Sequence, residues 1–304
     1  MSQTVVLDER LRALVDPAAT AEKIAGGCLF TEGPLWNHQD NSLTFSDVRG
    51  NAMYRWTEAG GQVVYRRPSG VANGNTFDRD GNMVTCEHEN RRVSRTHADG
   101  RVETVVDAYR GGRLNSPNDI VGATNGDLYF TDPPYGLRQP DGTFAPGDLG
   151  FNGVFRIAAS DGSLTLVVDD FERPNGIVIG NDGRHLYIDD TDRHHVRVFD
   201  IGADGGLSNG RLFADVTHEG TVGRPDGMKL DTEGNLYVTG NTAEGVWVFA
   251  PDGTLLGFIG VPEPPANCAW GGPGNSALFV TANTSVYRLP MNVAGQPIPF
   301  NGPA

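Results

Sequence analysis

Six side chains that carry an oxygen atom recur at equivalent positions along the chain, and together they could bind a metal ion. These six anchors are Glu32, Asn73, Asn118, Asn175, Asp226 and Asn267. Glu32 and Asp226 bring negative charge, and the asparagines bring neutral amide oxygens. A hard cation such as Ca²⁺ accepts such mixed ligands and takes about six to eight oxygen atoms. Zinc prefers histidine or cysteine, which none of the anchors supplies.

The anchors do not all point to metal binding equally strongly, because Asn or Asp before Gly is also an ordinary turn signal. One such motif says little, but three share a register: Pro117-Asn118, Pro174-Asn175 and Pro225-Asp226. Glu seldom forms turns, and a carboxylate among apolar neighbours is costly unless it is paired. We therefore expect Glu32, Asn118, Asn175 and Asp226 as metal ligands. For Asn73 and Asn267 we expect structural or substrate-contact roles.

The elements that must position the anchors are short β-hairpins. Turn dipeptides that reverse one strand into the next follow four anchors at a constant distance: Asp80-Gly81, Asn125-Gly126, Asp182-Gly183 and Glu233-Gly234. Apolar runs such as Leu128-Tyr129-Phe130 come next and predict the second strand of each unit. The anchors are roughly forty to sixty residues apart, the length of a four-stranded propeller blade.

We therefore predict an all-β fold, a six-bladed β-propeller with four-stranded blades. Residues 21–304 form this single propeller, and a strand within residues 21–30 completes the last blade and closes the ring. Residues 1–20 form an N-terminal extension, which we expect to be helical because its apolar residues have helical spacing. The innermost strands of a propeller line its central channel, so the anchors should converge at one end of the axis.

Composition and charge exclude several classes of function. The 304 residues include 41 Gly and 19 Pro, as many tight turns require, and the formal net charge of −14 argues against a nucleic-acid surface. We see no membrane-spanning run and no signal peptide. The three cysteines lack metal-type spacing, which indicates unpaired thiols in a reducing, cytoplasmic compartment. The sequence indicates no protein partner, and it does not determine whether the protein forms a homodimer.

Four anchor motifs together resemble the inner strands of the gluconolactonase or regucalcin (senescence marker protein) family. They are Thr31-Glu32-Gly33-Pro34-Leu35-Trp36, Ser116-Pro117-Asn118-Asp119, Arg173-Pro174-Asn175-Gly176-Ile177 and Arg224-Pro225-Asp226-Gly227-Met228. Residues 84–93 look like the bacterial gluconolactonase branch in particular. The resemblance implies one catalytic divalent cation, usually Ca²⁺, held at Glu32, Asn175 and Asp226. Related phosphotriesterase and paraoxonase propellers add the position of Asn118, which touches substrate in regucalcin.

The reaction implied by this resemblance is hydrolysis of a sugar lactone such as D-glucono-1,5-lactone to the aldonic acid. Ca²⁺ at the channel axis would polarise the carbonyl, with Mg²⁺, Mn²⁺ or Zn²⁺ as substitutes. The resemblance also implies that Asp226 acts as both ligand and general base. His88 is the rival base, and we expect the neighbouring Glu87 and Glu89 to raise its pKa.

Recognition of a polyhydroxylated substrate needs many hydrogen-bonding groups. The candidates nearest the anchors are Asn73, Asn75, Glu87, Asp132 and Tyr135. The longest insertion, residues 133–153, is rich in Gly and Pro, and we expect it to cover the channel mouth. Ser116 departs from regucalcin, which has a substrate-contacting arginine there, so the sugar contacts must differ. The alternatives are a lactonase or phosphotriesterase for a non-sugar substrate, and a binding scaffold with a structural ion.

Overall fold

Six antiparallel sheets form a closed ring in the computed structural model, which describes residues 3–240 and 245–301. Each inner strand contacts the inner strand of the next blade, and that of blade 6 contacts that of blade 1. The predicted six-bladed, all-β propeller with four-stranded blades is thereby confirmed. Residues 1, 2 and 302–304, at the ends of the predicted extension and propeller, lie outside the described residues.

The strands of blades 1 to 3 follow one another along the chain from the channel outwards. Blade 1 comprises Thr31–Asn37, Ser42–Asp47, Ala52–Thr57 and Gly61–Arg66. Blade 2 comprises Ala72–Phe77, Met83–Glu87, Arg92–Thr96 and Val102–Val106. Blade 3 comprises Ile120–Gly122, Leu128–Asp132, Gly153–Ile157 and Leu164–Val168.

Blades 4 and 5 continue the same order, and blade 6 takes its outer strand from the start of the chain. Blade 4 comprises Pro174–Ile179, His185–Asp190, His195–Ile201 and Leu207–Asp215. Blade 5 comprises Pro225–Leu230, Leu236–Gly240, Val246–Phe249 and Leu255–Ile259. Blade 6 comprises Pro265–Gly271, Ala277–Ala282, Ser285–Pro290 and Glu22–Gly26.

Blade 6 closes the ring because its two halves come from opposite ends of the chain. Glu22 pairs with Arg288 and Gly26 with Ser285 in an antiparallel register. This pairing joins the first and last segments of the propeller in one sheet. The predicted closing strand lies where the sequence indicates it.

The N-terminal extension is less helical than the sequence predicts. Its only helix within the described residues is Leu11–Leu14, and Val5–Val6 instead adds a fifth strand to the outer edge of blade 5. β-branched valines favour a strand, and Pro17 prevents a longer helix. The apolar residues of the extension find their burial against blades 5 and 6, where Leu11 and Leu14 join the core.

Apolar side chains fill the spaces between neighbouring blades. Trp36 of blade 1, for example, stacks on Phe279 of blade 6 with ring centroids 5.0 Å apart. Short elements complete the chain: the hairpins Ala108–Tyr109 with Gly112–Arg113 and Thr217–His218 with Thr221–Val222, and the 3-10 turns Tyr135–Leu137 and Pro273–Asn275. Cys28, Cys86 and Cys268 are buried and unpaired. No helix within residues 3–240 and 245–301 is long and apolar enough to cross a membrane.

Candidate metal centre and active site

Irregular strand pairing turns the anchor side chains towards the channel. In five blades the register between the inner and second strands shifts next to the anchor, as between Glu32 and Leu35 or between Pro225 and Met228. Such bulges re-aim a side chain out of the regular alternation of a strand. The anchor of blade 3, Asn118, precedes its inner strand and is held by its backbone NH, which donates to the Thr131 carbonyl.

Glycine follows four of the anchors because neighbouring inner strands approach very closely there. A Cβ atom on Gly33 would come within 1.9 Å of the Asn73 carbonyl oxygen, and one on Gly176 within 2.1 Å of the Asp226 carbonyl oxygen. Gly74 and Gly227 are equally confined by Asn118 and Asn267. The glycine after each of these four anchors is therefore required by the packing between blades. The same packing brings consecutive anchors into contact.

The anchor side chains form a continuous hydrogen-bonded belt across the channel. Asn73 donates through Nδ2 to Asn118 Oδ1 at 2.7 Å, and Asn118 donates in turn to Asn175 Oδ1. On the other side of the ring, Asn267 donates to Glu32 Oε2 at 3.0 Å. All six anchors are buried. The six positions recognised in the sequence therefore meet at one place.

Two carboxyl groups meet in this belt, and within residues 3–240 and 245–301 no cationic side chain forms an ion pair with either of them. Glu32 and Asp226, from blades 1 and 5, interact directly with each other. Burial raises the pKa of Glu32 to about 7. Burial, followed by the charges of Glu32 and Asp189, raises the pKa of Asp226 well above its usual range. The hydrogen bonds to Glu32 come from the Gly33 NH and the Asn267 amide, which are neutral groups.

This donor set fits a hard divalent cation. Uncompensated buried carboxyl groups are costly unless a positive charge offsets them, and carboxylate and amide oxygens are the ligands that Ca²⁺ accepts. Among the described residues, no group of three or more His, Cys, Asp and Glu side chains could hold a metal ion. An ion at the channel axis would be held by the carboxylates of Glu32 and Asp226 together with the amide oxygens of Asn118 and Asn175.

His88 is buried against the belt, and its environment differs from the one expected. Its Nε2 lies 3.1 Å from Asn118 Oδ1 and 3.4 Å from Asn73 Nδ2. Burial lowers its pKa to about 4, so the expected increase in pKa is wrong. The two acidic neighbours point elsewhere: Glu87 pairs with Arg66 and Arg92, and Glu89 accepts a hydrogen bond from Asn51.

A cavity of about 760 Å³ opens above the belt at the channel mouth. Among the residues that line it are seven named from the sequence: Glu32, Asn73, His88, Asn118, Tyr135, Asn175 and Asp226. The insertion of residues 133–153 forms part of its wall through Tyr135, Gly136, Arg138, Gly142 and Phe144. Tyr135 reaches down to the belt, where its hydroxyl accepts from Asn175 Nδ2 at 3.1 Å.

Three of the predicted substrate contacts, Asn75, Glu87 and Asp132, do not line this cavity. Glu87 is held between arginines beneath the surface. Asn75 donates to the Gly33 carbonyl at 2.8 Å and accepts from Thr85. Asp132 accepts the backbone NH groups of Asn115 and Ser116, and burial raises its pKa to about 7. All three brace the strands that carry the anchors.

Six polar lining residues were not among the candidate site residues named from the sequence. They are Arg49, Arg138, Arg173, Thr191, Arg224 and Asn283. Arg173 and Arg224 each precede an anchor by two residues, the same register as Ser116, so the aligned motifs contained a signal for them. Thr191 donates to the Pro225 carbonyl at 2.8 Å and accepts from Asn175. No sequence pattern distinguished Arg49 or Thr191.

A second cavity of about 460 Å³ lies away from the mouth and has a different character. Its lining is mostly apolar, including Ile177, Ile179, Leu230 and Ile298, and Lys229 is the one charged residue among the described lining. It contains no carboxylate or histidine, so it lacks the groups needed for metal binding or acid–base chemistry.

Comparison with known proteins agrees with this geometry. Residues 30–284 match the family profile described as SMP-30/Gluconolactonase/LRE-like region. The chain is 35% identical to a gluconolactonase of Zymomonas mobilis, over 92% of this chain and 83% of that protein. It is 28% identical to pentonolactonase XacC of Haloferax volcanii, over 84% of this chain and 81% of that protein. 

The fold is also shared with a solved gluconolactonase from Xanthomonas campestris. The two chains are 34% identical and superpose with a TM-score of 0.87, covering 96% of this chain and 95% of the other. The likeness thus extends over nearly the whole propeller and is not confined to the anchor motifs. The chain belongs to the SMP-30/gluconolactonase/LRE-like family.

Proposed function

We propose that this protein is a metal-dependent lactonase that hydrolyses a sugar lactone, of the D-glucono-1,5-lactone type, to the aldonic acid. The observation that carries the proposal is the pair of buried carboxyl groups, Glu32 and Asp226, which meet asparagine side chains from other blades and have no cationic partner among the described residues. The relatives named gluconolactonase and pentonolactonase support the substrate class.

We propose Ca²⁺ as the resident ion, ligated by Glu32, Asn118, Asn175 and Asp226. The donors are oxygen atoms of mixed charge, which suit a hard cation better than zinc. When bound, the ion would polarise the lactone carbonyl and stabilise the negative charge that develops on its oxygen.

Asp226 is the residue to which we assign the proton transfers. A water molecule loses a proton to the Asp226 carboxylate while its oxygen forms a bond to the lactone carbonyl carbon. The ring C–O bond then breaks, and the leaving oxygen takes the proton back, which yields the hydroxy acid. An aldonolactone is an activated ester, so a weak base suffices. His88 is less suitable because its Nε2 is engaged by Asn118 and its pKa is lowered to about 4.

Removal of the ion tests the metal requirement. Protein stripped with EDTA should lose hydrolysis of D-glucono-1,5-lactone and regain it when Ca²⁺ is added, and calorimetry should detect one site per chain. Hydrolysis by the stripped protein at the untreated rate would contradict the mechanism. Reactivation of the stripped protein with Mg²⁺, Mn²⁺ or Zn²⁺ would identify the ions that can replace Ca²⁺.

The substitution Asp226→Asn tests the assigned base and ligand. We expect kcat/KM to fall by about a hundredfold or more, as for loss of a group that acts in the transition state, and the calorimetric Ca²⁺ signal to weaken. Asp215→Asn, an exposed position on the outer strand of blade 4, is the matched control and should behave like wild type. Full activity in the Asp226 variant would remove it from the mechanism.

A further inference from the structure

The mouth cavity is lined by arginines in a protein that is otherwise strongly acidic. Arg49, Arg138, Arg173 and Arg224 line it, although the formal net charge of the chain is −14. Glu32 and Asp226 are the acidic residues of the described lining, and the proposed function assigns both to the ion. The remaining charge of the cavity wall is therefore positive.

Little of this positive charge is neutralised by neighbouring carboxylates. Arg173 and Arg224 share one acidic partner, Asp192, at 2.7 Å and 3.2 Å. Within residues 3–240 and 245–301, no carboxylate lies within ion-pair distance of Arg49 or Arg138. One carboxylate against four guanidinium groups leaves a net positive rim.

Stacking holds two of these guanidinium groups in place. Arg173 lies over the ring of Phe144 at 4.7 Å and over that of Tyr135 at 5.7 Å, and Arg49 lies over Phe30 at 5.2 Å. A stacked guanidinium keeps its N–H edge available for a carboxylate or phosphate. A role in holding the insertion of residues 133–153 would account for Arg173. It would not account for Arg49 and Arg224, which come from blades 1 and 5.

The arginines and the proposed metal ligands lie at different depths in the mouth cavity. Glu32 and Asp226 are only 2% and 9% exposed, whereas Arg49, Arg138 and Arg224 are exposed at the rim. A ligand that places a carbonyl at the floor therefore places its far end among the arginines. A neutral sugar would leave their charge unmatched, whereas an anionic group would pair with it.

We infer that the preferred substrate is a sugar lactone that carries an anionic group, a carboxylate or a phosphate, at the end remote from the reacting carbonyl. This inference rests on the proposed function. Arg49 and Arg224 would then act as specificity-determining residues, with Arg173 and Arg138 completing the anion site. Each charged hydrogen bond at a partly exposed position is worth about a tenfold change in binding.

Two matched pairs of lactones test the inference with the Ca²⁺-loaded protein. One pair is 6-phospho-D-glucono-1,5-lactone and D-glucono-1,5-lactone, and the other is D-glucaro-1,4-lactone and D-glucono-1,4-lactone. We expect kcat/KM at low salt to be at least about tenfold higher for the anionic member of one pair, and this preference to shrink in 0.5 M NaCl, at a screening length of about 4 Å. The pair that shows the preference identifies phosphate or carboxylate.

Variants then connect the preference to the rim. The double variant Arg49→Gln/Arg224→Gln should lower the anionic-to-neutral ratio of kcat/KM about tenfold or more. Arg211→Gln, an exposed arginine on the outer strand of blade 4 whose partner is Asp200, should leave the ratio unchanged. Equal hydrolysis of both members of each pair overturns the inference and leaves the proposed function standing. Failure to hydrolyse all four lactones overturns the proposed function itself, and the inference with it.

Discussion

At the scale of single residues, the asparagines of the channel are held in place by one another. Asn118 accepts a hydrogen bond from Asn73 and donates to Asn175, and it is buried at the floor of the cavity. Buried amides with satisfied partners keep a defined orientation. An ion that used Asn118 and Asn175 would therefore meet ligands whose positions are already restricted, which reduces the entropy cost of binding.

His88 is expected to position Asn118 and to take no proton during the reaction. In the tautomer with a proton on Nε2, it donates to Asn118 Oδ1. Loss of such a supporting contact typically costs about ten- to a hundredfold in metal affinity. We expect this loss in His88→Ala, measured by calorimetry with Ca²⁺, and a smaller loss in His88→Gln, which retains a donor.

The pH profile separates this role from that of a base. Burial lowers the pKa of His88 to about 4, so the folded protein keeps it neutral at neutral pH. The dependence of kcat/KM on pH should therefore have the same shape in His88→Gln and in wild type. Disappearance of an ionisation near pH 6 to 7 in the variant would identify His88 as the base instead.

At the scale of elements, the insertion of residues 133–153 is expected to control access to the channel mouth. Phe144 contacts Tyr135 with ring centroids 6.5 Å apart and stacks with Arg173. Phe144→Ala should raise KM about three- to tenfold, because a cation–π contact contributes about 0.5 to 2 kcal/mol. The melting temperature should stay near that of wild type, since the insertion lies outside the core. Leu212→Ala, an exposed position on blade 4, is the control. An unchanged KM would argue against a role for the insertion.

The N-terminal extension is expected to stabilise blades 5 and 6 without contributing to the site. Leu11 is fully buried in the core of these blades, whereas Leu7 in the same segment is 43% exposed. Leu11→Ala should lower the free energy of unfolding by about 2 to 5 kcal/mol through lost burial and a cavity. Leu7→Ala should change it by less than about 0.5 kcal/mol. Urea unfolding measures both, and similar effects of the two substitutions would contradict the packing described.

At the scale of the whole molecule, proton and metal binding should compete in setting stability. Burial raises the pKa of Glu32 to about 7 in the folded protein, above its value of about 4.3 in an unfolded chain. The folded state thus binds this proton more tightly, so the metal-free protein loses stability as the pH rises between these two values. Asp132, with a pKa raised to about 7, contributes in the same direction.

Calcium should reverse this loss, because it requires ionised carboxylates. We expect the Ca²⁺-induced increase in melting temperature to be small at pH 5 and larger at pH 8. Differential scanning fluorimetry with Ca²⁺ or EDTA at several pH values measures it. Glu32→Gln should weaken both the calcium effect and its pH dependence. An equal increase in melting temperature at all pH values would contradict the linkage.

The amino-acid sequence by itself determined the blades, their number and the anchors. Each hairpin is a local structure whose turn residues and apolar runs lie within a few tens of residues, so the repeat predicts it directly. The anchor-Gly pairs also repeat, because the same close approach recurs at four of the six blade junctions. The extension contains the short helix Leu11–Leu14, whereas the pairing of Val5–Val6 with blade 5 depends on tertiary contacts that local spacing does not contain.

Only the tertiary structure decided which polar residues face the cavity. Glu87 is adjacent to His88 in sequence, yet Arg66 from the neighbouring blade draws it away from the mouth. Arg49 and Arg224 are remote in sequence, and no sequence pattern relates one to the other, yet closure of the ring places both around one cavity. Contacts between blades join residues far apart in the chain, and their partners depend on the three-dimensional arrangement of six sheets. A one-dimensional pattern does not contain that arrangement.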